Sequence, residues 1–125
     1  MRFTKKNLRE VQDMAATQGF GEDQEARFAA ADLEAEATGV SLQLVRSGRR
    51  HAFAHRHKEA EEIFVVLSGS GRAKLDDEIV EVGPMDAIRI AAPVARAFEA
   101  GPDGLELLIF GPRHQGDAEV VPDHW

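Results

Sequence analysis

Residues 55–69 read HRHKEAEEIFVVLSG. His55 and His57 stand two apart, Glu62 follows five residues on, and the apolar run Ile63 to Leu67 leads into Ser68-Gly69. In an extended chain, residues two apart share a face with Cα atoms about 6.6 Å apart. Both imidazoles can then reach one cation at about 2.0–2.1 Å. Glu62 opens the next strand, and its carboxylate closes a third vertex if the two strands are neighbours. Nitrogen and oxygen donors without thiolate suit Fe(II), Mn(II), Ni(II), Zn(II) or Cu(II) and leave positions open for substrate. The same pattern also occurs on solvated loops, with Arg56, Lys58, Glu59 and Glu61 as exposed partners. Spacing alone leaves both readings open.

The residues around this stretch follow strand grammar. Val40 to Val45 alternates apolar and polar at period two, and Ser47-Gly48 ends it. His51, Phe53, His55 and His57 share one parity, so an extended backbone points all four to one face. Ile63 to Leu67 reads as a strand buried on both faces, turned by Ser68-Gly69-Ser70-Gly71. Arg72 to Leu75 and Ile79 to Val82 read as a hairpin around Asp76-Asp77-Glu78. Ala87 to Ala91, Arg96 to Glu99 and Leu105 to Phe110 follow, separated by Pro93 and by Gly101-Pro102-Asp103-Gly104. Short strands with turn signals about every ten residues indicate an all-β sandwich or barrel. No crossover helix is evident from Ala26 to Gly111.

The flanks differ. Leu8, Val11 and Ala15 give a thin apolar stripe over Thr4 to Gln18, which fits a short helix or an extended strap equally. Pro112 to Trp125 is polar except for Val120-Val121 and Trp125, and reads as a tail that either covers an open end or is mobile. The expected division is 1–25 strap or short helix, 26–111 barrel and 112–125 tail.

With 125 residues the chain suffices for one domain and a core without staples. It has no cysteine, which excludes disulfides, zinc–thiolate sites, iron–sulfur clusters and thiol nucleophiles. Fifteen basic against 22 acidic residues give a net charge of −7. That disfavours nucleic acid and anionic membranes as partners. No apolar stretch approaches a membrane span, and no secretory signal is evident, so the cytoplasm is expected.

From Gly48 through His55, His57 and Glu62 to Gly69, the chain resembles the first motif of the cupin superfamily, with a first spacer one residue longer than usual. The second motif is partial. Gly83, Asp86, Ile88 and Ile90 match its turn and strand, Ala91-Ala92-Pro93 stands where Pro and Gly are usual, and Arg96 replaces the histidine that supplies the fourth ligand. The resemblance covers roughly residues 38 to 111. It implies a single-domain jelly-roll β-barrel, a small-molecule ligand, often a homodimer, and, where enzymatic, isomerase or dioxygenase chemistry among several. Fold likeness does not supply a reaction.

Arginine carries no lone pair for a metal. About 4 Å from a divalent ion its charge costs about 8 kcal/mol at an effective dielectric of 20. Three arrangements follow. Arg96 turns away and leaves a three-ligand site of His55, His57 and Glu62. Alternatively, His51 or His114 substitutes as a donor. Or no metal binds, and Arg96 pairs with Glu62 in a metal-free ligand-binding or sensing module. Arg96, Phe64, Phe98 and His51 are the expected ligand-binding residues, although aromatic residues on strands are first of all core candidates. A dimer whose barrel is only scaffold is the third functional reading.

Overall fold

The computed structural model describes residues 2–125. Eight antiparallel strands make one curled sheet: β1 (Gln24–Phe28), β2 (Thr38–Val45), β3 (Ala54–His57), β4 (Glu62–Leu75), β5 (Glu78–Val82), β6 (Ala87–Ile90), β7 (Arg96–Pro112) and β8 (Ala118–Val121). The molecule is an all-β half-barrel of the jelly-roll kind, as expected.

Its spine is the long β4–β7 pair. The C-terminal half of β7 lies between β2 and the start of β4, with β6 on the far side of β4. The other half of β7 pairs with the end of β4, which also carries β5. At Arg96, β7 meets β3, whose other edge holds β8. The spine thus passes from one group of strands to another, and the sheet curls.

Two sequence-derived turns are corrected here. Ser68-Gly69-Ser70-Gly71 and Gly101-Pro102-Asp103-Gly104 do not end strands; they face each other inside the continuous β4–β7 ladder. The register shifts between Val66 and Ser68 and again between Gly69 and Gly71. A Cβ on Gly69 would lie 2.0 Å from the Gly104 oxygen, and one on Gly71 2.0 Å from the Glu99 oxygen. These glycines serve bulges and close backbone approach, the other meaning of glycine in a strand.

Inward-facing Val45, Phe64, Val66, Phe98, Leu105, Leu107 and Ile109 belong to one buried cluster. Ile63 to Leu67 is buried on one face rather than both: Phe64 and Val66 are inside, whereas Leu67 is 38 % exposed. In β2, Ser41 and Gln43 line an interior cavity. The polar members of that alternation therefore face inward.

The N-terminal segment is a strap with one 3₁₀ turn, Leu8–Glu10, and one helical turn, α1 (Met14–Thr17). Asn7 caps the first through the Arg9 amide, and Asp13 caps the second through the Ala15 amide. Asp13 also accepts from the Ala26 amide, which ties the strap to β1. Val11 and Ala15 are buried, too few apolar residues to sustain the longer helix. The tail is part of the sheet, since β8 pairs with β3 from Ala54↔Val121 to His57↔Ala118. Among the described residues no helix is long and apolar enough to cross a membrane.

Candidate metal centre and cavity

His55 and His57 project from β3 and Glu62 from the first position of β4. The described residues contain one group of three or more potential metal donors within 4.8 Å of one another, and it is this one. Glu62 Oε1 is the shared vertex. It lies 3.1 Å from His57 Nε2, 3.5 Å from His55 Nε2 and 2.8 Å from Arg96 Nη1. Donors held on 2.0–2.1 Å bonds around one ion sit about 3.0–3.4 Å apart, so the His57–Glu62 separation suits such a polyhedron and the His55–Glu62 separation lies just beyond it.

His57 is fixed on both sides. Its backbone N–H donates to the Ala92 carbonyl (2.8 Å). Its Nδ1 lies 3.1 Å from Asp117 Oδ2, and a proton on Nδ1 satisfies that contact. In the neutral ring Nε2 then carries a lone pair. Nε2 is buried and has no hydrogen-bond partner; the 3.1 Å approach to Glu62 is misaligned for one. A lone pair facing a carboxylate oxygen at that distance is repulsive unless a cation or a proton lies between them. This orphaned nitrogen, with a carboxylate behind its ring, fits a metal ligand.

Arg96 is the competing cation. It is 1 % exposed. Its Nη2 donates to the carbonyls of Ala91, Ala92 and Val94, its Nε to Val94, and its Nη1 to Glu62. The loop that lacks the expected Pro-Gly therefore folds as a carbonyl cradle for the guanidinium. Arg96 does not turn away from the site, so a metal held by the trio would share Glu62 Oε1 with the guanidinium and carry its repulsion.

The electrostatics follow from these contacts. Burial would raise the Glu62 carboxyl, but His55 and His57 reverse that and hold it well below the usual carboxylate range. The contact with Glu62 raises His57 despite burial and the charge of Arg96. Burial lowers Arg96, against the pull of Glu62. Burial also pushes His51 down to about 3, with a smaller push from His55.

The trio forms part of the wall of a cavity of about 440 Å³. Phe28, Phe53, Phe64 and Phe110 give it aromatic walls, and Gln24, Ser41 and Gln43 add polar points. His51, Phe53, His55 and His57 all line it, as their shared parity implied, although β3 begins only at Ala54. Of the expected ligand-binding residues, Phe64 and His51 reach the cavity. Phe98 does not; it is fully buried and stacked on Phe64 at 5.0 Å. Arg96 also stays out of the lining, behind Glu62.

Neither proposed substitute donor joins the trio. His51 Nδ1 accepts from the Phe98 amide, and its Nε2 lies 3.0 Å from Gln43 Oε1, so both ring nitrogens are engaged. His114 lines the cavity but lies outside the donor group, with Nδ1 3.9 Å from Glu59.

Sequence reasoning missed Gln43, Gln24 and Asp117. Gln24 Oε1 accepts from the Ala52 amide and holds the segment before β3. The available signal for Asp117 was the Gly116-Asp117 turn ahead of Ala118-Glu119-Val120-Val121, which has the look of a short edge strand.

Comparison with known proteins agrees with this architecture. The cupin domain model matches residues 41–109, more than half of the chain. The chain belongs to the cupin superfamily. Among solved structures, this cupin is similar to a cupin protein from Bacteroides fragilis (TM-score 0.73, 23 % identity, 93 % of this chain and 88 % of that one). It is also similar to the polyketide cyclase RemF from Streptomyces resistomycificus (TM-score 0.76, 21 % identity, 94 % and 84 %). A third is a sugar phosphate isomerase of the cupin superfamily from Silicibacter pomeroyi (TM-score 0.72, 19 % identity, 95 % and 82 %). At such identities the likeness concerns the fold alone. No curated protein sequence matches the chain.

Proposed function

We propose that this cupin binds a small, uncharged, ring-bearing organic molecule in its cavity, beside a divalent transition metal (Fe, Mn, Ni, Zn or Cu) held by His55, His57 and Glu62. The observation that carries the metal is the buried, partnerless Nε2 of His57 facing Glu62 and His55. A bound cation would supply Lewis acidity toward a carbonyl or hydroxyl oxygen of the ligand. The protein's own part is to keep Glu62 ionised, present both imidazole lone pairs and surround the ligand with apolar walls.

The lining argues for the ligand class. Four phenylalanines offer faces and edges to a ring. Among the described residues no lysine lines the cavity, and its one arginine, Arg113, donates Nη1 to the Ala35 carbonyl. Away from the trio, a phosphate-bearing sugar would find only Arg113, already tied to a main-chain carbonyl. An oxygenated ring would find Gln43, Ser41 and the trio.

Elemental analysis of untagged protein, compared with a His55→Ala, His57→Ala double variant, tests the metal. Near-stoichiometric metal in the wild type and little in the variant is expected. Equal, substoichiometric metal in both refutes the claim.

A second reading is favoured by the 2.8 Å Arg96–Glu62 contact: the guanidinium stands in for the cation, and the cavity is a metal-free binding or sensing module. Under it, EDTA leaves the melting temperature unchanged and Arg96→His raises metal uptake. A large loss of melting temperature with EDTA contradicts it.

We further propose a cytoplasmic homodimer. β5 is paired along one edge only and exposes Ile79 and Val80, which supports association. A monomeric mass by sedimentation at micromolar concentration would remove the dimer.

A further inference from the structure

We propose that Asp117, on the C-terminal tail, is the positioning residue that fixes the His57 ring with Nδ1 protonated and the Nε2 lone pair turned into the metal centre. The inference rests on the reading of His57 as a metal ligand, yet it concerns a residue outside the span of 41–109 that carries the family match.

The geometry is specific. Asp117 is 6 % exposed. Its Oδ1 accepts from the Glu59 amide and its Oδ2 from the Ala60 amide, both at 3.0 Å. The Asp117 backbone carbonyl accepts from Lys58 at 3.1 Å. The carboxylate is thus clamped to the loop between β3 and β4, the loop that spaces His57 from Glu62. Those two amides leave Oδ2 with a further lone pair, directed at His57 Nδ1 at 3.1 Å. Next to it, His57 pairs with Ala118 in the β3–β8 ladder.

A carboxylate accepts but cannot donate. Glu62 faces Nε2 at the same 3.1 Å but out of hydrogen-bond alignment, so in the neutral ring Asp117 selects the tautomer with the proton on Nδ1 and leaves Nε2 as the free donor atom. This is how outer carboxylates orient metal-binding histidines and raise their basicity. His55 has no such partner among the hydrogen bonds of the described residues, so the two histidines are unequal: His57 is pre-aimed and His55 is adjustable. The tail thereby completes the site that the barrel begins.

Two measurements test this. In wild-type protein without metal, ¹⁵N-detected imidazole shifts at alkaline pH, once the ring has lost its second proton, are expected to show the Nδ1–H tautomer at His57. In Asp117→Asn, where an amide can present its N–H, the tautomer is expected to become mixed or to reverse. A wild-type ring protonated on Nε2, or a tautomer unchanged in Asp117→Asn, overturns the proposal. Second, titration with Co(II), followed by its visible absorption, is expected to show about 10- to 100-fold weaker binding in Asp117→Asn, with recovery in Asp117→Glu. Equal affinity in wild type and Asp117→Asn overturns it. Should the wild type take up no Co(II), the metal reading falls while the tautomer measurement still decides Asp117. Because the wild-type spectrum requires no variant, an unstable Asp117→Asn protein leaves the test intact.

Discussion

At the scale of single residues, the centre of this cupin is a set of three groups around one oxygen, Glu62 Oε1: the Nε2 atoms of His55 and His57 and the Arg96 guanidinium. Arg96 is the most buried of them. Arg96→Met leaves Glu62 without its guanidinium and empties the cradle of Ala91, Ala92 and Val94 carbonyls. Breaking a buried pair in this way costs about 3–5 kcal/mol, and urea denaturation of metal-free protein is expected to show a loss in that range. A loss below about 1 kcal/mol would mean that the pair is screened by water. His51 makes a different prediction. Its folded pKa of about 3 lies below the ordinary value of 6.5. At neutral pH neither folded nor unfolded chain protonates it, and its contacts contribute in full. As pH falls below about 6.5, the unfolded chain binds a proton that the folded chain refuses until about pH 3. Stability then falls by up to about 1.4 kcal/mol per pH unit from this group. Denaturation at pH 7 and pH 5 should show a shallower decline for His51→Gln than for wild type; identical slopes would mean that His51 protonates freely in the fold.

At the scale of elements, the β4–β7 spine depends on glycines that look like turns. The chain composition reads Ser68-Gly69-Ser70-Gly71 as a break because local sequence does not say whether glycine ends a strand or lets another backbone come close. Only the partner strand settles it: Gly104 and Glu99 oxygens occupy the space a side chain would need. Gly69 also has φ of +79°. Gly69→Ala is therefore expected to cost about 1–2 kcal/mol for the left-handed backbone and about 1–3 kcal/mol for the forced contact. Guanidinium denaturation at neutral pH measures the sum, and a neutral substitution would show that the bulge can relax. The β3 histidines were legible for the opposite reason. Parity along a strand is a local property, so the sharing of one cavity wall by His51, Phe53, His55 and His57 followed from spacing.

At the scale of the whole molecule, the two terminal segments turn a curled sheet into a container. The strap caps one edge through Asp13 and the buried Val11 and Ala15. The tail closes another: Ala118 and Val120 line the cavity, and Trp125 lies against Arg50, Arg72 and Lys74, with its ring centre 4.4 Å from the Arg50 guanidinium carbon. His124 Nε2 also contacts the Lys74 carbonyl at 2.8 Å. Truncation after Gly116 removes the β3–β8 ladder, whose hydrogen bonds are worth about 0.5–1.5 kcal/mol each. A fall in melting temperature of about 10 °C or more is expected, together with weaker Co(II) binding by titration. Unchanged stability and binding would show that the tail is a passenger.

Local pattern determined the all-β class, the parity that gathers the histidines and His55, His57 and Glu62 as candidate donors, because period-two alternation and donor chemistry are written in short windows; the resemblance to the cupin motifs marked Arg96 as the anomaly. How Arg96 comes to pair with Glu62, why Phe98 packs behind Phe64, and how a polar tail residue comes to lie against His57 were decided only by the fold. Each depends on groups dozens of positions apart, such as Asp117 beside His57 and Arg96 beside Glu62, whose meeting is set by strand pairing and chain closure.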